Sequence, residues 1–283
     1  MFRWSEVCGA RPAVMGILNV TPDSFSDGGR FDDPGAAVDR AHALVAAGAD
    51  LVDVGGESTR PGAEPVTERE ELRRVVPVVT RLAGELGAAI SVDTSKSGVA
   101  AAALDAGASV VNDVSAGRFD PALLGAVADR DAGVVLMHML GEPRTMQDAP
   151  TYADVVTDVG DFLLERLTVA ADAGVADGAL CVDPGIGFGK TVEHNLQLLA
   201  RLRDLVERVP APVLFGASRK RFLGVLLRDV AGETGEPTAE RRDDATLATS
   251  VLALDAGARV LRVHEPRSAA HAVALLDAMR VAA

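Results

Sequence analysis

Eight short apolar segments recur along the chain, and most are separated by stretches with the apolar spacing of a helix. The segments span residues 14–18, 51–54, 90–92, 110–111, 134–137, 180–182, 213–215 and 260–263. Helical spacing is seen, for example, in Val38, Ala41 and Val45. This alternation predicts repeated βα units, and strands that are apolar along their whole length are typical of a parallel sheet covered by helices.

A short internal repeat indicates the same organisation. In three places a helical segment ends on Ala-Gly-Ala, and an apolar strand follows at once. The glycines suit the left-handed conformation that ends many helices. A polar residue stands five positions after each glycine; the pairs are Gly48 and Asp53, Gly107 and Asn112, and Gly257 and Arg262. The repeat therefore predicts a polar side chain near the carboxyl end of three strands.

The other predicted strands also end in polar or glycine-rich segments. An open sheet binds ligands at one switch point, whereas in a closed barrel the carboxyl ends of all strands surround one mouth. Polar chemistry at eight strand ends therefore predicts a single (β/α)8 barrel domain over residues 1–283, with its active site at the carboxyl ends of the strands. Two connections, 19–34 and 55–67, are long enough to be active-site loops.

Charge and composition exclude several classes of partner. The chain has 28 lysines and arginines against 41 aspartates and glutamates, a net charge of -13, and no basic patch suited to nucleic acid. No apolar run approaches the ~20 residues of a membrane span, and the amino-terminal segment lacks the apolar core of a signal peptide. Cys8 and Cys181 are too few for a disulfide framework. We therefore expect a cytoplasmic protein with reduced thiols.

Residues 184–191, Pro-Gly-Ile-Gly-Phe-Gly-Lys-Thr, imitate a phosphate-binding loop. A Walker loop requires a glycine six positions before the lysine, where Pro184 stands, and the alternating glycines do not match the dinucleotide fingerprint either. The segment therefore predicts a glycine-rich turn after a strand rather than a nucleotide site.

Four polar residues at strand ends suit one heterocycle. A 2-amino-4-oxopyrimidine ring presents two adjacent N–H donors and a carbonyl acceptor along one edge. A carboxylate such as Asp183 can accept both donors, an amide such as Asn112 can cover the adjacent ring nitrogen, and Lys220 can serve the carbonyl. Asp93 supplies a second carboxylate. Since the chain has only three lysines beside abundant arginine, Lys220 indicates a site that needs a compact ammonium group.

A second group of residues suits an anion. Arg262 and His264 point the same way on a strand of period two, and Arg60 and Asn19 follow neighbouring strands. Guanidinium and imidazolium groups bind a diphosphate. The amide oxygen of Asn19 is a suitable ligand for Mg2+, which keeps most of its water and takes further ligands from phosphate. Each residue alone also fits a turn, a cap or an ion pair; their number at one end of the barrel favours a site.

Eight motifs resemble, in order and spacing, those of the dihydropteroate synthases. They are GILNVTPDSFSDGG (16–29), GGESTRPGA (55–63), SVDTSK (91–96), VVNDVS (110–115), MHMLGEPRTMQ (137–147), VDPGIGFGK (182–190), GASRK (216–220) and RVH (262–264). The resemblance runs from about residue 14 to the carboxyl terminus. It departs where RVHEP replaces the commoner RVHDV and where RDDATLATS, after Arg241, lacks the usual glycine.

The resemblance implies a transferase that joins a dihydropterin diphosphate to p-aminobenzoate, works as a homodimer with Mg2+ and is a sulfonamide target. Its pterin pocket would comprise Asp93, Asn112, Asp183, Lys220, Met137, Phe188 and Gly216. The residues near p-aminobenzoate and the closing loops would be Phe25, Thr59, Arg60, Pro61 and Ser218. The diphosphate would meet Asn19, Arg262 and His264, with Asn19 also on the metal. The residues acting in catalysis would be Asp93, Lys220, Arg262 and His264.

Two other functions remain open. A pterin-dependent methyltransferase shares the barrel and the acidic pocket but does not need the GASRK, RVH or TPDSFSDGG segments. A non-catalytic paralogue would bind a pterin or a partner without turnover, and altered loops in one sequence do not exclude it. Amine-dependent release of diphosphate distinguishes the synthase from both.

Overall fold

The fold is built on eight parallel strands. The structure, a computed structural model, describes residues 1–21, 34–58, 63–231 and 237–282. The strands are β1 (Ala13–Asn19), β2 (Leu51–Gly55), β3 (Ala89–Asp93), β4 (Val110–Asp113), β5 (Gly133–Met137), β6 (Leu180–Asp183), β7 (Leu214–Phe215) and β8 (Val260–Val263). All eight segments predicted as strands are strands, although Val213 precedes β7 instead of belonging to it.

The strands close into a barrel. Their order across the sheet is β6-β5-β4-β3-β2-β1-β8-β7, and every pairing is parallel. A parallel bridge between Val182 and Val213 joins the two outer strands and completes the ring. The (β/α)8 barrel predicted from the sequence is therefore confirmed, and the carboxyl ends of all eight strands surround one mouth.

Helices cover the outside of the sheet and one end of the barrel. Within the described residues they are α1 (Trp4–Cys8), α2 (Pro34–Ala46), α3 (Glu68–Glu85), α4 (Ser97–Asp105), α5 (Ala122–Ala128), α6 (Val155–Asp172), α7 (Val192–Ala200), α8 (Leu202–Arg208), α9 (Arg221–Ala231), α10 (Asp243–Ala256) and α11 (Pro266–Ala282). Short 3-10 helices span Asp177–Ala179 and Glu240–Arg242. In the ranges that the structure covers, none of these helices has the length and apolarity needed to cross a membrane.

The repeated glycines end helices as predicted. Gly48, Gly107 and Gly257 have φ angles of 100°, 114° and 105°, the left-handed region that favours glycine. At Gly107 an added Cβ would also lie 2.4 Å from the Cβ of Ala83. Each glycine thus lets the chain leave its helix and enter the next strand within three residues.

Two large apolar clusters lie on the two faces of the sheet. The larger packs the outer face of the sheet against the helices. The smaller lies inside the barrel near the amino ends of the strands, where Trp4 and Cys8 of α1 pack beneath Met15 and Leu51. The Trp4 indole donates to the Ala179 carbonyl at 3.0 Å, so α1 closes this end of the barrel. In the described part of the chain, apolar side chains therefore fill the amino end of the barrel.

Candidate active site

A continuous hydrogen-bonded set joins four strands at the carboxyl mouth. The Arg262 guanidinium, on β8, donates from Nε to Asp53 Oδ2 of β2 and from Nη2 to Asp93 Oδ2 of β3, both at 2.6 Å. Asn112 of β4 donates from Nδ2 to the same Asp53 oxygen at 2.9 Å. Asp93 and Asn112 are register partners on adjacent strands. Arg262 and Asn112 thus meet through Asp53, which the sequence did not indicate as a site residue, and Asp93 joins them through Arg262.

The charges in this set shift one another's pKa. Burial raises the pKa of Asp93 to about 7; the nearby Arg262 opposes the shift, and the negative charge of Asp53 adds to it. Burial alone would lower the pKa of Arg262, but Asp53 and Asp93 hold it above its usual value. Arg262 therefore stays cationic, while Asp93 can change its protonation state near neutral pH.

Asp183 lies at the end of β6, beside Met137 of β5 in the strand register. Its Oδ1 accepts the Gly185 N–H at 2.7 Å. Its Oδ2 would lie 3.6 Å from a Cβ built on Gly216, so the absence of a side chain there leaves space around this oxygen. Burial raises the pKa of Asp183, and the Gly185 N–H, Lys220 and Arg262 oppose that shift. One oxygen is therefore held by the backbone and the other borders the open side of Gly216.

The glycine-rich segment after β6 is a turn, as predicted, and its conformation requires glycine. Gly185, Gly187 and Gly189 have φ angles of 67°, 83° and 62°. A Cβ on Gly185 would lie 1.8 Å from the His138 carbonyl oxygen. The turn therefore packs directly on the chain that follows β5, which brings Phe188 toward the mouth.

Lys190 holds this turn from inside. It is 3 % exposed, and its ammonium donates to the carbonyls of Gly185 and Phe188 at 2.9 and 3.0 Å and lies 2.8 Å from His138 Nδ1. Burial lowers the pKa of Lys190 to about 7. Burial, followed by the charges of Lys190 and Arg118, lowers the pKa of His138 to about 2, so the imidazole is neutral. Lys190 thus fixes both the turn and the backbone of Phe188.

Apolar side chains form a wall beside the polar set. Met137 and Phe188, both predicted to line the site, belong to one buried cluster, which also includes Val114, Met139 and Met146. The Lys220 ammonium lies 3.8 Å from the centre of the Phe188 ring, which is cation–π distance. Gly187 leaves room for the Lys220 stem, since a Cβ there would lie 3.1 Å from its Cδ. The wall and the lysine therefore face the same region.

The Ser218–Lys220 turn is held from below by α10. Arg219 has a φ of 58°, which is uncommon outside glycine. Its side chain makes two 2.8 Å bonds to Asp243, and its N–H donates to Thr246 Oγ1 at 3.0 Å. Ser218 Oγ lies 2.9 Å from His264 Nδ1. Asp243 and Thr246 belong to the segment in which the sequence departs from the family pattern, and they stabilise the turn that carries two predicted site residues.

Asn19 lies at the end of β1, across from Asp93. A Cβ built on Gly55 would be 3.8 Å from Asn19 Oδ1 and 3.7 Å from Asp93 Oδ2, so the glycine leaves the space between these oxygens open. Among the residues that the structure describes, no three His, Cys, Asp or Glu side chains cluster in a way that could hold a metal ion.

The predicted p-aminobenzoate residues Phe25, Thr59, Arg60 and Pro61 lie outside the described residues. The base of the second loop is described. Lys96 donates to Glu57 and, at 2.5 Å, to Oε2 of the fully buried Glu71 of α3. The other Glu57 oxygen accepts the Val66 N–H at 3.0 Å. Both described ends of this loop are therefore fixed to α3 through one lysine.

Sequence reasoning missed three polar residues that hold the site together: Asp53, Lys96 and Lys190. Asp53 did have a signal, since it occupies the same place in the internal repeat as Asn112 and Arg262, the two residues that bond to it. For Lys96 and Lys190, the only signal in the sequence was that lysine is rare in this chain. Nothing local in a sequence distinguishes an ammonium that binds substrate from one that binds carbonyls inside the fold.

Comparison with known proteins identifies the family. Residues 15–264 match the family described as Pterin binding enzyme. The dihydropteroate synthase of Mycobacterium leprae is 49 % identical over 266 residues, which cover 94 % of this chain and 92 % of that protein.

Solved structures agree with this match. The Yersinia pestis dihydropteroate synthase, in a complex with a sulfonamide drug, has a TM-score of 0.88 and 43 % identity, covering 96 % of this chain and 95 % of that one. The Xanthomonas albilineans enzyme with 4-aminobenzoic acid has a TM-score of 0.87 and 48 % identity, covering 95 % and 93 %. A structure of the same enzyme with 7,8-dihydropteroate has a TM-score of 0.83 and 45 % identity, covering 95 % and 94 %. The chain belongs to the pterin binding enzymes and, within them, to the dihydropteroate synthases.

Proposed function

We propose that this dihydropteroate synthase transfers the 7,8-dihydropterin-6-ylmethyl group from diphosphate to the amine of p-aminobenzoate, giving 7,8-dihydropteroate and diphosphate. The observation that carries the proposal is the bonded set of Asp93, Arg262 and Asn112 at the barrel mouth, with Asp183 and Lys220 nearby. The relatives that bind 4-aminobenzoic acid and 7,8-dihydropteroate support the same substrate and product here.

The pterin is held by complementary hydrogen bonds. Asp183 accepts the two adjacent N–H groups of the pyrimidine edge, Asn112 covers the neighbouring ring nitrogen, and Lys220 donates to the carbonyl. Met137 and Phe188 pack on the ring from the apolar wall. Gly216 contributes open space beside Asp183 Oδ2. Because the acceptors and donors have fixed partners within the fold, little side-chain freedom is lost on binding.

Arg262, His264 and Asn19 bind the diphosphate. In the transfer step the bond between the pterin methylene and the diphosphate oxygen breaks, and its electron pair leaves with the diphosphate. Arg262 and His264 stabilise that developing charge, while the carboxylate of Asp93 stabilises the positive charge that spreads over the pterin ring. The amine lone pair then forms the C–N bond, and one proton of the resulting ammonium passes to water. Lys220 and Ser218 orient the pterin and the arylamine, and no covalent bond to the enzyme forms.

Mg2+ fits the donor chemistry at this end of the barrel. Asn19 offers a neutral amide oxygen, a hard ligand of the kind that Mg2+ accepts alongside water and phosphate oxygens. When bound, the ion would neutralise charge on the diphosphate and favour its departure. We assign Asn19 as the protein ligand.

A homodimer is the second part of the proposal. Large apolar side chains on the neighbouring helices α10 and α11 are exposed to solvent: Val251, Leu252, Leu275 and Met279. Apolar side chains grouped on a surface are typical of protein–protein contacts, and a second copy of the chain covers them by two-fold symmetry. Cys8 and Cys181 are both buried and unpaired, which agrees with a reducing, cytoplasmic location.

The sharpest test replaces Asp183. We expect Asp183→Asn to weaken dihydropterin binding by about 1.5 to 3 kcal/mol, because a charge-assisted contact becomes a neutral one. Asp177→Asn is a matched control, since Asp177 is exposed near the opposite end of the same strand. Calorimetry measures both affinities. Equal affinity for wild type and Asp183→Asn would remove Asp183 from the pterin pocket.

A coupled assay for diphosphate release tests turnover itself. If the protein is an active synthase, the release of diphosphate from dihydropterin diphosphate should depend on p-aminobenzoate and on Mg2+. A chain that binds the pterin but releases no diphosphate on addition of the amine is the non-catalytic paralogue instead.

A further inference from the structure

Asp53 is a buried carboxylate with no assigned role in binding or chemistry. It lies in the middle of β2 and is fully buried. A single oxygen, Oδ2, accepts from Arg262 at 2.6 Å and from Asn112 at 2.9 Å. These two donors belong to strands β8 and β4, on opposite sides of β2 in the barrel. One carboxylate oxygen therefore connects the residue proposed for diphosphate with one proposed for the pterin.

We propose that Asp53 is a positioning residue that holds Arg262 and Asn112 in a fixed mutual geometry, so that the pterin and the diphosphate are bound at the correct positions relative to each other. The inference rests on the proposed function and adds to it a residue that acts through its bonds to Arg262 and Asn112. Positioning matters here because the bond that breaks lies between the pterin subsite and the diphosphate subsite. A small displacement of the substrate in either subsite moves the reacting atoms.

The contact fixes the orientation of the Asn112 amide. A carboxylate only accepts hydrogen bonds, so the Asn112 amide nitrogen must face Asp53. The amide oxygen and the second N–H then remain for the mouth. This arrangement matches a pterin edge on which a ring nitrogen accepts and the adjacent amino group donates. Without Asp53 the amide could rotate and present its oxygen where the ring nitrogen needs a donor.

The contact also fixes the plane of Arg262. Its Nε is held by Asp53 and its Nη2 by Asp93, so the guanidinium is bound at two points by carboxylates from β2 and β3. The Arg262 side chain remains 19 % exposed, which leaves it accessible from the mouth. A lysine could not be held in this way, since the arrangement uses two nitrogens of one planar group.

Asp53 further influences the titration of Asp93, whose pKa it raises by charge repulsion. The groups that face Asp93 are Arg262, which opposes the shift, and Asp53, Glu71 and Asp113, which add to it. Removing the Asp53 charge should lower the pKa of Asp93. A residue that served only packing would leave this titration unchanged, so the pH profile separates the two roles.

The test compares Asp53→Asn and Asp53→Ala with Ser91→Ala. Ser91 is the register partner of Asp53 on β3, is also fully buried, and its hydroxyl makes no hydrogen bond within the described part of the chain. Steady-state rates are measured with dihydropterin diphosphate and p-aminobenzoate across pH. Calorimetry with pterin alone and with inorganic diphosphate alone measures the two half-sites, and thermal melting checks the fold.

We expect Asp53→Ala to lower kcat/KM for dihydropterin diphosphate about 100-fold and Asp53→Asn about 10-fold, on the scale of misplaced reacting groups. The KM for p-aminobenzoate should stay within about twofold, since the residues that Asp53 bonds, Arg262 and Asn112, are proposed for the diphosphate and the pterin. Both variants should weaken pterin and diphosphate binding, and Asp53→Asn should move the acidic limb of the rate profile to lower pH.

The inference is overturned if Asp53→Asn folds and has the same rates and affinities as Ser91→Ala, and if the acidic limb of its rate profile stays at the wild-type pH. If wild type shows no amine-dependent diphosphate release, the proposed function fails, and the two calorimetric titrations still decide the role of Asp53. A wild type that binds neither ligand overturns both.

Discussion

Lys190 offers the clearest prediction about stability, since its burial lowers its pKa and so changes how readily its side chain binds a proton when the chain folds. Lys190→Met keeps the length and the apolar stem of the side chain but removes the group that bonds His138 and the carbonyls of Gly185 and Phe188. The pKa of Lys190 is about 7 in the folded protein against 10.5 without the fold. Between those values the unfolded chain holds one more proton than the folded chain, so stability rises with pH.

The size of the effect follows from the two pKa values. From pH 6 to pH 9 the proton released on folding should add about 3 kcal/mol to the wild-type free energy of unfolding, at about 1.4 kcal/mol per pH unit above the folded pKa. Lys190→Met lacks this term. The difference in unfolding free energy between wild type and Lys190→Met should therefore grow by about 3 kcal/mol over this range. Below pH 7 it should be smallest, because the buried ammonium is then charged.

Denaturant unfolding at pH 6, 7, 8 and 9 measures this difference. Arg130→Met is the matched control, since Arg130 is paired with the exposed Asp105 at 2.7 Å and both stay charged throughout the range. Its effect should be at most about 1 kcal/mol and independent of pH. If the Lys190→Met difference is as flat as the control, Lys190 remains protonated in the fold, and the argument from its burial is wrong.

Two further predictions concern the turn after β6 and the outer helices. Gly185→Ala should destabilise the protein by more than about 2 kcal/mol and weaken pterin binding, because a Cβ would meet the His138 carbonyl oxygen at 1.8 Å. Gly125→Ala in α5 is the control, since a Cβ there meets nothing within 4 Å, and it should be neutral or stabilising in the same thermal melts and binding titrations. Leu252→Glu and Met279→Glu should convert the proposed dimer to monomers in sedimentation experiments. Leu196→Glu is the control, since Leu196 is exposed on α7, and this variant should remain a dimer. If all three variants are dimers, the subunit contact lies elsewhere.

The elements of the fold were readable from the sequence. Near-continuous apolar runs predicted all eight strands, and the three repeated glycines predicted where helices end. These signals are local, since burial on both faces of a strand and the left-handed conformation of one residue leave their mark within a few positions of the chain. Most strands extend one or two residues beyond the prediction, because backbone pairing continues past the apolar side chains, whereas β7 begins one residue later than predicted.

The chemistry of the site was predictable in kind. Carboxylates, an amide, a lysine and an arginine at strand ends indicated a polar heterocycle and an anion, and barrel topology brings Asp93, Asn112 and Arg262 into one hydrogen-bonded set that includes Asp53. The roles of individual residues stay predictions. Phe25, Thr59, Arg60 and Pro61, which the resemblance assigns to the arylamine side, lie outside the described residues.

By itself the sequence determined the strands, the helix ends and the types of side chain at the mouth, because periodicity and turn chemistry act over short distances along the chain. Only the closed barrel decided which of those side chains meet. Asp53 lies 209 positions from Arg262, and Lys190 lies 52 positions from His138. Whether an ionisable group faces substrate, carbonyls or another charge depends on what the other strands bring beside it, and this also sets its pKa.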